Sequence, residues 1–174
     1  MPLPTFVRPN YFFGKQLSVE DLQREQAYHR DKGRLRNRLL FGPGVVGGLR
    51  VSVEQHELVV SPGLAFDCQG NELVVATEHR QPLPSGADRR FVTLRYAEIA
   101  VGSVPAPNGA VEPASIEEIG AVEVLAQRPA NCDVCLGARL RACDQAHAVC
   151  IATLRRQGTR WRVSSSRVQR HRGG

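Results

Sequence analysis

Arg8–Leu49, RPNYFFGKQLSVEDLQREQAYHRDKGRLRNRLLFGPGVVGGL, joins three kinds of local structure in one stretch. Its first part belongs to a proline-rich arm with Pro2, Pro4 and Pro9, and Phe6, Tyr11, Phe12 and Phe13 between and after them. Proline disfavours helix in the residue before it, so the arm should be extended. Its middle is a helix. Ser18 is a good N-cap, Asp21 stands three residues on in a capping-box position, and Glu20 and Asp21 suit the positive end of the helix dipole. Basic residues gather in the later turns and Gly42-Pro43-Gly44 stops the helix. Over 18–40 it would be roughly 34 Å long.

The helix surface carries two thin apolar stripes. Leu17, Tyr28, Leu35 and Leu39 form one, and Leu22, His29, Gly33 and Leu40 the other. Arg30, Arg34 and Arg38 run between them at i, i+4, i+8, where like charges repel by a few tenths of a kcal/mol per pair. A helix lying on a single core has one broad apolar face. Two thin stripes predict contact on two sides, with its own sheet and with a second subunit. The aromatic density of the arm requires that it pack on its own domain or on a neighbour, because aromatic rings bury large apolar area. Tyr11, Phe12, Phe13, Leu22, Tyr28, Leu35 and Leu39 are the candidate docking residues, with Arg30, Arg34 and Arg38 facing an acidic neighbour.

From Val45 the period changes to two. Strands are expected at 45–53, 57–60, 63–67, 71–76, 90–100 and 120–127. A closing hairpin of 148–155 and 159–165 should turn at Gln157-Gly158. Helices between the strands, which a parallel sheet requires, are not evident. The expected fold is therefore α+β, mainly antiparallel β in a sandwich or barrel-like arrangement, with one long N-terminal α-helix. It divides into an arm at 1–17, the helix at 18–41, a β-rich domain at 42–166 with a cysteine-containing loop at 130–150, and a basic tail at 167–174.

The 174 residues, 42% hydrophobic with 16 Gly and 11 Pro, can bury a core without covalent staples. No apolar run approaches the roughly 20 residues of a membrane helix, and Met1–Arg8 lacks the hydrophobic centre of a secretory signal. Synthesis in the cytoplasm is the expectation, with later release as part of a larger particle compatible with it. The formal charge is +6, and Lys15 and Lys32 are the sole lysines among 23 basic residues. That arginine bias is compatible with an acidic partner, with nucleic acid, or with codon usage alone. A nucleic-acid interface built on Arg30, Arg34, Arg38, Arg167, Arg170 and Arg172 lacks any accompanying binding motif and is the weaker alternative.

Cys132, Cys135, Cys143 and Cys150 fall close together, with His147 among them and Cys68 remote. Their C-x2-C-x7-C-x6-C spacing, or C-x2-C-x7-C-x3-H with His147 in place of Cys150, admits a structural zinc site. Its middle interval is shorter than that of a usual ribbon or finger, so a loop disulfide or unmodified thiols stay open beside it. HExxH, GxSxG and Walker-type glycine loops are missing from the sequence, and Asp67 reads as a turn former between strands, not a catalytic acid. An enzyme is not expected.

The block YFFGKQLSVEDLQREQAYHRDKGRLRNRLLFGPGVVGGLRV, followed by LVVSPGLAFDCQGNELVV, resembles a bacterial family associated with phage-tail-like and extracellular contractile injection system gene clusters. The likeness continues through VTLRYAEI, SIEEIGAVEVL and CIATLRRQGTRWRV, and its specific part is Tyr11–Val51. The family has no catalytic motif to carry over. The resemblance implies a baseplate or fibre-attachment subunit that meets other particle subunits as a homo-oligomer or hetero-assembly, with the N-terminal block as its hallmark.

Overall fold

A computed structural model describes residues 4–129, 143 and 147–165. One helix, α1 (Val19–Leu40), precedes a β-domain. Its N-terminus carries the predicted capping box. Asp21 N–H donates to the Ser18 hydroxyl, and the Asp21 carboxylate accepts from Ser18 N–H. Gly42, at φ 70°, takes the chain out of the helix just beyond the Phe41 C-cap.

The strands follow as β1 (Gly44–Gly48), β2 (Val51–Glu54), β3 (Glu57–Val60), β4 (Gly63–Phe66), β5 (Glu72–Val75), β6 (His79–Pro82), β7 (Arg89–Val101), β8 (Val104–Pro105), β9 (Val111–Glu112), β10 (Ser115–Leu125), β11 (Val149–Gln157) and β12 (Arg160–Ser165). They form three principal antiparallel sheets, ordered β1-β4-β5, β2-β3-β6 and β10-β7-β11-β12. A β8-β9 hairpin extends the tip of the long β7-β10 ribbon. The four-stranded sheet is the centre of the domain. β5 lies against β10 and β7, β1 against β11, and β2 against β12. All three sheets feed one core, which contains Val45, Leu58, Val60, Leu73, Val92, Leu94, Ile151 and Leu154. The fold is thus α+β with antiparallel sheets, as expected. Its sheets pack against one another, and among the described residues no barrel closes.

One strand was expected over 45–53. It breaks into β1 and β2 at Gly48-Leu49-Arg50, and the partner run breaks beside it at Ser61-Pro62, between β3 and β4. Both chains change sheets together at this corner. Leu49 N–H donates to Pro62 O at 3.2 Å, and Ser61 N–H to Arg50 O at 2.9 Å. The backbones pass so closely that a Cβ on Gly48 would overlap Pro62 O, and one on Gly63 would overlap Gly47 O. Leu49 holds φ 53°, strained for a leucine, with its side chain buried in the core. Burial of that side chain offsets the strain.

β6 and the β8-β9 hairpin were not expected. β6 is a short edge strand in a polar stretch ending in proline, without the alternation that marks a half-buried strand. Its Arg80 makes ion pairs with Glu54 and Glu78 at 3.1 and 2.8 Å. The β2–β3 turn places Gln55 and His56 at φ 48° and 71°, left-handed values that neither residue favours. Replacing the pair by Asn-Gly should stabilise the protein by about 1 kcal/mol and raise Tm by about 2–4 °C. A differential scanning experiment on the double variant checks this, and an unchanged or lower Tm contradicts it.

Candidate functional site

The N-terminal arm folds back along α1 in the opposite direction. Lys15 reaches Asp21 at 3.0 Å, Tyr11 reaches Glu25 at 3.5 Å, and the Phe6 ring meets Tyr28 edge-on at 6.4 Å. The hydrogen bond from Lys15 holds the Asp21 carboxyl below its ordinary value. Such an edge-on ring pair contributes about 0.5–1.5 kcal/mol. The arm is therefore fixed to the helix by a few polar staples and one ring contact. Its other aromatic side chains point outward.

Outward exposure is heavy. Phe13 is fully exposed and Phe12 is 66% exposed, and Tyr11, Leu17, Val19 and Leu22 are exposed beside them. Most of the exposed large hydrophobics among the described residues lie on the arm, the helix and its C-cap. Burying one such side chain is worth about 1.5–3 kcal/mol, so this face has much to gain from a cover. Farther along the helix, Tyr28, Leu35 and Leu39 are half-buried. With Phe6 and Leu40 they line an apolar groove of about 570 Å³, edged by Lys32 and Arg36.

What fastens the helix to the β-domain is a polar seam, and it runs along the arginine line, not along an apolar stripe. Asn37 is the one buried residue of α1, and its amide donates to Gly70 O at 3.0 Å and to the Glu72 carboxylate at 3.3 Å. Arg38 donates to Gln69 O at 2.9 Å, and the Arg34 guanidinium lies over the Tyr96 ring. Phe41 stacks on Phe66 at the end of the helix. Arg34 and Arg38, predicted to face an acidic neighbour, are thus engaged within their own chain. Arg30 is exposed beside a cleft that the chain's own Glu72 and Glu118 help to line. Burial pushes the Tyr96 phenol above its ordinary value, and its hydrogen bond to Glu98 adds to the rise.

The turn that receives the helix is Asp67-Cys68-Gln69-Gly70-Asn71, between β4 and β5. Asp67 is wholly buried, and its carboxylate accepts from Gln69 N–H and Asn71 N–H at 2.9 Å each and from the Asn71 amide at 2.7 Å. It is the turn former that the sequence predicts. Gly70, at φ 86°, leaves room for the helix backbone, because a Cβ there would overlap Arg34 O. Asn37 stands out as the residue that sequence reasoning missed on α1. A lone asparagine among arginines carries no pattern to mark it.

On its other side the same turn carries Cys68. Its sulfur lies 3.1 Å from His147 Nδ1, and the Gln69 amide donates to Cys143 O at 3.2 Å. The Cys68 and Cys143 sulfurs and the His147 ring nitrogen all lie within 4.8 Å of one another, close enough to hold a metal ion. Of the predicted ligands, Cys143 and His147 belong to this group. Cys150 does not. Its thiol points to Ala152 O at 3.6 Å, and burial raises its pKa. Cys132 and Cys135 lie outside the described residues, as do Arg167, Arg170 and Arg172. Cys68, set aside in the sequence as remote, joins the group because the β4–β5 turn projects towards the segment leading into β11.

The fold has a counterpart among solved structures. A chain of a solved structure, "The baseplate complex from the type VI secretion system", matches with a TM-score of 0.52 at 13% identity, over 92% of this chain. The match spans 58% of the length of that baseplate chain. At this identity the likeness is one of fold. No family model matches the sequence, and no curated protein matches it either. Among the described residues no helix is long and apolar enough to cross a membrane.

Proposed function

We propose that this chain is a structural subunit of a phage-tail-like or contractile injection particle, a baseplate or fibre-attachment component that docks through its N-terminal arm and α1. The observation that carries this reading is the unequal burial of its two parts. The β-domain buries a contiguous apolar core, whereas the arm and helix turn Tyr11, Phe12, Phe13 and Leu22 to solvent. A free surface gains nothing from such an aromatic face, and an assembly interface does. The baseplate fold and the N-terminal block both support the role, and the partners are other particle subunits or further copies of this chain. The nucleic-acid alternative loses support where Arg34 and Arg38 bind their own domain. The cysteine–histidine group fits this role as a structural zinc site, argued below.

Size-exclusion chromatography with light scattering tests the docking face. The 19.1 kDa chain should run as a concentration-dependent oligomer. Phe12→Ser with Phe13→Ser should weaken association about 10- to 100-fold at unchanged Tm, since both side chains are exposed. If the chain is a strict monomer, the same pair is tested in a mixture with any sheath, tube and spike proteins found encoded beside its gene. Equal binding by wild type and variant there would overturn docking through the arm.

A further inference from the structure

We propose that Cys68, Cys143 and His147 supply three of the four ligands of one Zn²⁺, and that this ion pins the segment before β11 to the turn that seats α1. The three donor atoms already converge. In a tetrahedral zinc site with Zn–S of about 2.3 Å and Zn–N of about 2.0–2.1 Å, donor atoms stand about 3.5–3.8 Å apart. The sulfurs and the ring nitrogen lie within 4.8 Å of one another, with one pair at 3.1 Å. Shifts of an ångström or less bring them to that geometry. The approach does not need the metal to form, because the Gln69–Cys143 hydrogen bond and the Asp67-centred turn hold both segments independently.

The chemistry of the donors selects the ion. Two thiolates and an imidazole are soft to borderline ligands that favour zinc over magnesium, calcium or manganese. Binding releases the two thiol protons to solvent and uses the lone pair of neutral His147 Nδ1. Cys68 and Cys143 are buried and His147 is half-buried, which suits a structural ion. Cys68 and His147 are 79 positions apart, so the ion closes a long loop of chain. Cys68 is also next to Gln69, whose carbonyl accepts from Arg38, and two residues from Gly70, whose carbonyl accepts from Asn37. A rigid Cys68 therefore gives the helix a rigid seat.

The site does not depend on the assembly role, which is judged by oligomer mass and partner binding. The full chain, purified under reducing conditions without chelator, should carry about one zinc per chain by mass spectrometry of its metals. Cys68→Ser and His147→Ala should each lose it, whereas Cys150→Ser keeps it. Chelator should lower the wild-type Tm by about 5–10 °C, leave that of Cys68→Ser unmoved, and speed amide exchange in the second half of α1. Should the variants fail to fold, cobalt titrated into chelator-stripped wild type should give thiolate charge-transfer and tetrahedral d–d absorption. A stripped, reduced wild type that shows neither cobalt absorption nor a zinc-dependent Tm overturns the proposal. So does a Cys68–Cys143 disulfide in the protein as isolated, or loss of zinc from Cys150→Ser alone.

Discussion

Gly48→Ala should destabilise the protein by about 3 kcal/mol or more and lower Tm by about 6–12 °C. Two effects add at this position. Alanine at φ 66° carries the left-handed penalty of about 1–2 kcal/mol, and its methyl would overlap Pro62 O across the corner. The obstacle is backbone, which cannot swing aside as a side chain can, so the two sheet-switching segments must separate. Their hydrogen bonds at Leu49 and Ser61 would lengthen with them. Gly47→Ala is the matched control. A Cβ on Gly47 meets nothing within 4 Å, so its effect should stay within about 1 kcal/mol. Equal losses from the two variants would show that the close crossing does not govern the corner.

Asp67→Ala should cost about 3–5 kcal/mol, because three donors in a buried turn lose their acceptor at once. Asp67→Asn should cost less, by about 1–2 kcal/mol. Its amide oxygen can keep the two backbone donors, and its NH₂ can meet Asn71 once that side chain flips. Asn71 Oδ1 is buried and has no hydrogen-bond partner among the described residues, so the flip gives it one. Thermal melts of both variants check the order. Amide exchange supplies the second readout, since a disordered turn removes the acceptors at Gly70 and Gln69 that hold Asn37 and Arg38. Faster exchange in the second half of α1, with the first half unchanged, is the expected pattern.

Legibility in the sequence followed the range of each interaction. The Ser18–Asp21 capping box is three residues long, and β3 and the β11–β12 turn at Gly158 also follow from local chemistry. The break at Gly48-Leu49 was hidden because its cause is the Ser61-Pro62 segment passing across it. β6 was hidden because an edge strand of polar residues has no face to declare. The aromatic density of the arm was legible, since so many rings are conspicuous in any register, and Phe12 and Phe13 stand exposed. How the helix attaches to its own domain was not. Amphipathic reasoning looks for an apolar face, and the seam is built from Asn37 and Arg38 donating to carbonyls on a turn more than thirty residues away, with Arg34 laid over the Tyr96 ring. Cys68 failed for the same reason, because the packing of one sheet against another brings it to His147 and spacing rules see nearby cysteines alone.

The place of β7 sets an order of events as the chain leaves the ribosome. It pairs with β10 along one edge and β11 along the other, and β11 is made well after both β7 and β10. Until Val149–Gln157 has emerged, the second edge of β7 is an open strand beside Val92 and Leu94, two of the most deeply buried side chains. The nascent chain therefore carries this open edge from the completion of β7 until β11 has been made, and β11 closes it. Truncations ahead of Val149 should aggregate for lack of β11, even with the arm and helix intact.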